Sequence, residues 1–292
     1  MATHRTLAKP PAWLLLDPLL KQWLQEDLGR GDRTTEALFI TKQAPAGKAK
    51  LILKAPGVIA GLPFVERVFQ LIDSELSMVC SLSEGEAGEP KTLIAQLHAP
   101  LDTLLMGERV ALNILMRLSG IATETAQYAQ KIEDLPTTLV DTRKTTPGLR
   151  LLEKYAVNVG GGRNHRYGLD DAMMIKDNHI QAAGGISEAI AAVRKHSPYP
   201  LAIEVEAETH EQAIEAVEQG ADIVMLDNMP PATMSEIIPK LRDINPRIKL
   251  EASGNITLET IRAVAETGID FISTSATITR APWLDISMKI TA

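Results

Sequence analysis

Apolar and polar positions follow two different rhythms along this 292-residue chain. Between residues 48 and 98, four strand-like runs ("KAKLILKA", "VIAGL", "ELSMVCSL" and "TLIAQLHA") accompany one run with helical spacing, "LPFVERVFQLID". Turn residues such as Pro56-Gly57 separate them, so this part predicts a small α+β unit. In "LMGERVALNILMRLSGIATETAQYAQKI" the apolar positions Ala111, Leu112, Leu115, Leu118, Ile121 and Ala122 form one face of a long helix. Arg109, Asn113 and Arg117 fall on another face. The change of rhythm lies within this helix.

Beyond it, short β-branched runs alternate with helical stretches. The runs are "TTLVDT", "AMMIKD", "LAIEVE", "DIVMLDN", "KLEASG" and "FISTSA". Helix starts are signposted by Thr146 as N-cap with Pro147 after it, by Thr209 and Gln212 as a capping box, and by Pro231. Six such units predict a parallel sheet in an α/β, TIM-like barrel, complete or open, with a doubly wound sheet as the alternative. Nearly every run ends in polar or small residues, and in a barrel those ends converge on one mouth.

Composition narrows the function classes. At 45% hydrophobic residues the chain can bury a sizeable core. Its single cysteine, Cys80, excludes an intrachain disulfide framework and a cysteine-based zinc cluster, which points to a reducing, cytoplasmic setting. The N-terminal "PAWLLLDPLLKQWL" is interrupted by Asp17 and Pro18 and lacks a cleavage pattern. No apolar run reaches the roughly 20 residues a membrane span needs, so no membrane partner is expected.

Charge narrows them further. The formal net charge is −7, which argues against a general nucleic-acid surface. Yet residues 143 to 168 hold six Lys or Arg and His165 against one acid, Glu153. A local basic cluster in an acidic chain suits a small polyanion. Arg143, Lys144 and Lys176 sit at strand ends, whereas Arg150 and Lys154 are read as a solvated helix face. Arg grips carboxylate or phosphate with a two-pronged fork and Lys offers a point charge, so two anionic moieties are expected.

"VGGGRNHR" matches neither dinucleotide nor Walker patterns and reads as a turn. The histidines show no HExxH spacing, and no transition-metal site is expected. Glu206 and Asp227 end consecutive runs, suited to ribose hydroxyls, to magnesium, or to pairing with the lysines. "LEASGNIT" and "FISTSAT" place small residues where barrels often hold phosphate.

At these residues the chain resembles quinolinate phosphoribosyltransferase. The resemblance runs in order through "EDLGRGDRTT", "GERVALNILMRLSGIAT", "DTRKTTPGLR", "NVGGGRNHRYGLDDAMMIKDNH", "IEVEAET", "VMLDNM" and "EASGNIT", covering nearly the whole chain. It implies an N-terminal α+β sandwich over residues 1–112, joined by segment 277–292, and an open seven-stranded barrel over 113–276. It also implies a homodimer or larger assembly, and transfer of phosphoribosyl from phosphoribosyl pyrophosphate to quinolinate with decarboxylation. Nicotinate mononucleotide, pyrophosphate and CO2 are the implied products, with Mg2+ as cofactor, in NAD biosynthesis.

By position, the resemblance implies that Arg143, His165 and Arg166, with Arg109 from a partner subunit, hold quinolinate. Lys144 and Lys176 face the donor, and Glu206 and Asp227 take the ribose hydroxyls and magnesium. Ser253, Gly254, Asn255, Ser273 and Ser275 take the 5′-phosphate. Ser275 departs from the family's usual glycine, and a side chain there either crowds a phosphate or offers it a hydroxyl. Three other readings stay open at this point: a non-decarboxylating enzyme of the same fold, a Schiff-base aldolase using Lys144 or Lys176, and a non-catalytic phosphoribosyl sensor.

Overall fold

The computed structural model describes residues 8–291. Residues 1–7 and 292, which the expected domain bounds include, lie outside the described residues. Two compact units divide the chain: one takes residues up to 126 with 151–161 and 281 onward, the other 127–150 with 162–280.

The first unit is built from α1 (Trp13–Leu28), α2 (Arg33–Phe39), β1 (Ala46–Leu53), β2 (Gly57–Val58), α3 (Leu62–Gln70), β3 (Ser77–Cys80), β4 (Ala87–Gly88) and β5 (Leu93–Pro100). The long α4 (Leu101–Gln130) begins in it, and α5 (Arg150–Val159) and β12 (Ile286–Thr291) return to it. Its antiparallel sheet has the order β12-β1-β5-β3, and β2 pairs separately with β4. Along β1, Ala49, Leu51 and Leu53 are buried while Lys48 and Lys50 are exposed, the period-two pattern of a sheet covered on one face.

The boundaries differ from 112 and 277 for physical reasons. Helix α4 is unbroken at 112, and farther along Ser119 and Thr123 accept hydrogen bonds from the Ala60 and Val58 amides at 3.0 and 2.9 Å. Helix α5 is held in the same unit by a buried ion pair, Glu153 to Arg117 at 2.7 Å, and by Tyr155 donating to Glu84 at 2.9 Å. Arg117 therefore does not lie on a solvent face. Nor does Lys154, which is 0% exposed.

The second unit alternates strand and helix: β6 (Thr138–Val140), β7 (Met173–Ile175), α6 (Asp177–Ala183), α7 (Ile186–His196), β8 (Ile203–Ala207), α8 (His210–Glu218), β9 (Ile223–Asp227), α9 (Pro231–Ile244), β10 (Lys249–Ser253), α10 (Ile261–Ala265), β11 (Phe271–Ser273) and α11 (Ala276–Thr279). All six predicted runs form strands, in one parallel sheet ordered β6-β11-β10-β9-β8-β7. The seventh position holds a single bridge, Val140 to Arg163, instead of a strand. Immediately after it the Asp141 carboxylate takes the His165 amide (2.8 Å) and the Asn164 side chain (2.7 Å), which draws the backbone off the ladder.

Val205, Val224, Leu226, Leu250 and Ile272 from the strands pack with Ala213, Ile237, Leu241 and Ile261 from the helices. Each large aliphatic side chain so buried contributes about 1.5–3 kcal/mol. The Thr209–Gln212 capping box and Pro231 at the start of α9 are present. The start expected at Thr146 and Pro147 is not: Gly148 has φ +82°, outside helical space, so 147–149 form a turn and α5 begins at Arg150. Among the described residues no helix is long and apolar enough to cross a membrane.

Candidate active site

The C-terminal ends of the barrel strands surround a cavity of about 680 Å3. Six Lys or Arg side chains line it against three carboxylates, so a strongly polyanionic occupant is matched although the chain as a whole is acidic.

The cations divide by what they already touch. Arg150 donates to the Tyr167 carbonyl at 2.8 Å and to Thr145 at 3.0 Å, and Arg166 donates to the Ala172 carbonyl at 2.8 Å. Arg150 thus joins the cavity wall; it is not the solvated residue expected from sequence. Burial, and then the nearby Arg143, lowers the pKa of Arg166. An anion between those two guanidinium groups would relieve their repulsion. Neither Arg143 nor Lys144, which follow β6, spends its side chain on a protein acceptor among the described residues.

Lys176, at the end of β7, is ion-paired with Glu206 at the end of β8. Asp227 ends β9 beside them, and its pKa is raised by burial and then by Glu206, while Asn228 and Lys176 oppose the rise. Two carboxylates on adjacent strand ends are hard-oxygen donors of the kind magnesium takes. The residues present fit a divalent cation.

His165 lies deeper. Its Nδ1 accepts the Arg166 amide at 2.8 Å, and its Nε2 lies 3.0 Å from Glu204 and 3.5 Å from Glu251. Burial, and then Glu204, pushes the Glu251 carboxyl up to about 7, against the pull of His165 and the Ser273 hydroxyl. These three side chains form a cluster with metal-ligand composition that no sequence spacing announced, because strands β8 and β10 bring them together. With both ring nitrogens engaged, His165 can act on a ligand mainly by holding the cavity wall.

At the ends of β9 and β10 the backbone is unusual. Asn228, Gly254 and Asn255 have φ of +55°, +92° and +52°. A side chain at 254 would put its Cβ 2.1 Å from the Asn228 Oδ1, so only glycine fits. Asn255 donates to Asn228 at 3.0 Å, and Asn228 donates to Asp227 at 2.6 Å, which stitches the two strand ends together. Ser253, Gly254 and Asn255 line the cavity, as do Ser273 and Ser275. Ser275 has φ −87° and ψ −12°, ordinary helical values, so the position makes no conformational demand for glycine.

Of the residues singled out from sequence, one is apart. Arg109 lies exposed on α4 in the first unit and is not among the cavity's lining residues. The glycine triplet 160–162 also stays out of the cavity: a Cβ at Gly160 would meet the Ala122 carbonyl oxygen at 2.5 Å, and Gly161 turns the chain with φ +98°. Thr279 and Arg280 do line the cavity, and sequence reasoning had missed both.

Residues 121–289 match the family model described as "Quinolinate phosphoribosyl transferase, C-terminal domain", and residues 32–119 match its N-terminal counterpart. A probable nicotinate-nucleotide pyrophosphorylase (carboxylating) of Synechocystis is 54% identical over 280 residues, covering 96% of this chain and 94% of the relative. The human nicotinate-nucleotide pyrophosphorylase (carboxylating) is 39% identical, covering 98% of this chain and 94% of its own length. The crystal structure of NadC from Streptococcus pyogenes superposes with a TM-score of 0.91 at 41% identity, covering 97% of this chain and 99% of that one.

Proposed function

The chain belongs to the quinolinate phosphoribosyltransferase family, and from that premise we propose how its own residues carry the reaction. Phosphoribosyl passes from phosphoribosyl pyrophosphate to the ring nitrogen of quinolinate, giving nicotinate mononucleotide, pyrophosphate and CO2 for NAD biosynthesis. The observation that carries the assignment to residues is how the cavity-lining charges are engaged: Arg143 and Lys144 have no protein acceptor among the described residues, whereas Lys176 is paired with Glu206 near Asp227.

Arg143 and Arg166 face the two carboxylates of quinolinate, with Arg109 supplied by a second copy in a homodimer or larger assembly. His165, already bonded at both nitrogens, shapes that wall. The donor lies toward Lys144, Lys176, Glu206 and Asp227, with its 5′-phosphate at Ser253, Gly254, Asn255, Ser273 and Ser275. Glu206 and Asp227 would hold magnesium, which when bound supplies positive charge against the pyrophosphate.

The bond from ribose C1 to pyrophosphate breaks as the pyridine nitrogen attacks from the opposite face. Charge then grows negative on the leaving group and positive on the sugar. Lys144 and Lys176 stabilise the former, and Glu206 and Asp227 hold the hydroxyls that fix the sugar's orientation. After transfer the ring nitrogen is cationic. The adjacent carboxylate leaves as CO2, its electron pair remaining on the ring carbon beside that nitrogen until a proton arrives. No organic cofactor is required for this step. The exposed free thiol of Cys80 suits a reducing, cytoplasmic setting.

The decisive assay combines purified protein, magnesium, phosphoribosyl pyrophosphate and carboxyl-labelled quinolinate, with nicotinate as a parallel acceptor. Equal release of labelled CO2 and nicotinate mononucleotide, from quinolinate alone, is expected. Product from nicotinate, or donor binding without turnover, would overturn the reading.

A further inference from the structure

Passing round the mouth from Asp227 through the ends of β9, β10 and β11 to Arg143 after β6, the cavity is lined mainly by uncharged residues. Apart from the buried Glu251, one formal charge interrupts that arc among the described residues: Arg280. We infer that Arg280, assisted by the Ser275 hydroxyl, holds the 5′-phosphate of the donor and sets this chain's affinity for it. The inference rests on the reading of the site given above.

Local geometry supports it. Ser275, the N-cap of α11, stands one turn before Thr279, with the Thr279 amide donating to the Ser275 carbonyl at 2.8 Å and the Thr279 hydroxyl donating to the same oxygen at 3.0 Å. Arg280 closes that turn, its amide bonded to the Ala276 carbonyl at 3.0 Å, and all three residues face the cavity. The backbone here is therefore fixed while the Arg280 side chain is not. Its guanidinium has no carboxylate or carbonyl acceptor among the described residues, unlike Arg150 and Arg166 in the same wall.

The chemistry selects a phosphate over a carboxylate for this arc. A phosphate monoester is close to a dianion at neutral pH and offers three acceptor oxygens. One planar fork together with the Ser275 hydroxyl and the Ser253–Asn255 turn can satisfy all three. A serine at 275 adds a hydroxyl donor to the pocket floor, and Arg280, at the helix end, lines the same cavity and supplies the charge.

The test is steady-state kinetics on the full-length protein with each substrate varied in turn, for wild type, Arg280→Ala and Arg280→Lys. Arg280→Ala is expected to raise KM for phosphoribosyl pyrophosphate by about 10- to 100-fold, the range that losing one charge-assisted hydrogen bond carries, with kcat and the quinolinate KM within about two-fold. Arg280→Lys should fall between. Inhibition of wild type by ribose 5-phosphate should weaken in Arg280→Ala by a similar factor, while inhibition by pyrophosphate stays unchanged. An unchanged donor KM in an active, normally melting variant would overturn the inference, as would a rise in quinolinate KM or a selective loss of pyrophosphate inhibition. Failure of the reading beneath it looks different: the wild-type protein itself would then show no donor-dependent turnover.

Discussion

Glu251 illustrates how a single buried group ties the site to folding. Its carboxyl, pushed up to about 7 by burial and then by Glu204, sits behind His165 in the barrel interior. Between an ordinary glutamate value of 4.5 and about 7, the folded protein holds a proton that the unfolded chain has released, so stability falls as pH rises through that window. Glu251→Gln keeps the shape and removes the titration. Its denaturation midpoint is expected to match wild type near pH 4.5 and to exceed it above pH 7. A constant offset at every pH would show instead that Glu251 stays ionised throughout. Glu204 remains beside the His165 Nε2, so the variant should retain the cavity wall.

At the scale of elements, the strand ends decide what the site can be. The left-handed turn at Gly254 lets Asn255 reach Asn228, and so couples the end of β10 to Asp227 on β9. Gly254→Ala forces a Cβ onto the Asn228 side chain and strains the backbone. A loss of about 1–3 kcal/mol in denaturant unfolding is expected, together with a raised donor KM; an unchanged donor KM would separate this turn from the donor site. The six barrel strands were legible in the sequence because parallel strands covered on both faces read as short apolar, β-branched runs. Other features depend on partners far away in the chain and so left no local mark. Lys154 reads as a surface lysine on a helix, and Arg117 as a polar-face residue, until α5 packs beside α4. β12 carries alternating polar residues like any edge strand and is defined only by pairing with β1. The cavity-lining residues at strand ends were visible for the same reason as the strands. Arg280 was not, because it lies a helical turn beyond its strand, where an exposed arginine is ordinary.

For the molecule as a whole, the assignment of Arg109 to a neighbouring subunit makes a sharp claim about assembly. Arg109→Ala and Lys176→Ala should each be inactive alone. Mixed under conditions that exchange subunits, they should regain roughly a quarter of wild-type activity, since half of the dimers are mixed and one site in each is intact. No recovery despite demonstrated exchange would place Arg109 outside the active site. The two-unit architecture bears on how the chain is made. β12 is synthesised after every strand of the barrel, yet it forms the outer edge of the first unit's sheet against β1. While the nascent chain is growing, β1 therefore waits with a bare edge, and the exposed Lys48 and Lys50 are the kind of charge that keeps such an edge from recruiting a stray strand. The barrel unit can complete its parallel sheet during that interval. The unit whose residues are translated first is the last to be finished, and shortening the chain by its final strand would leave that waiting edge permanent.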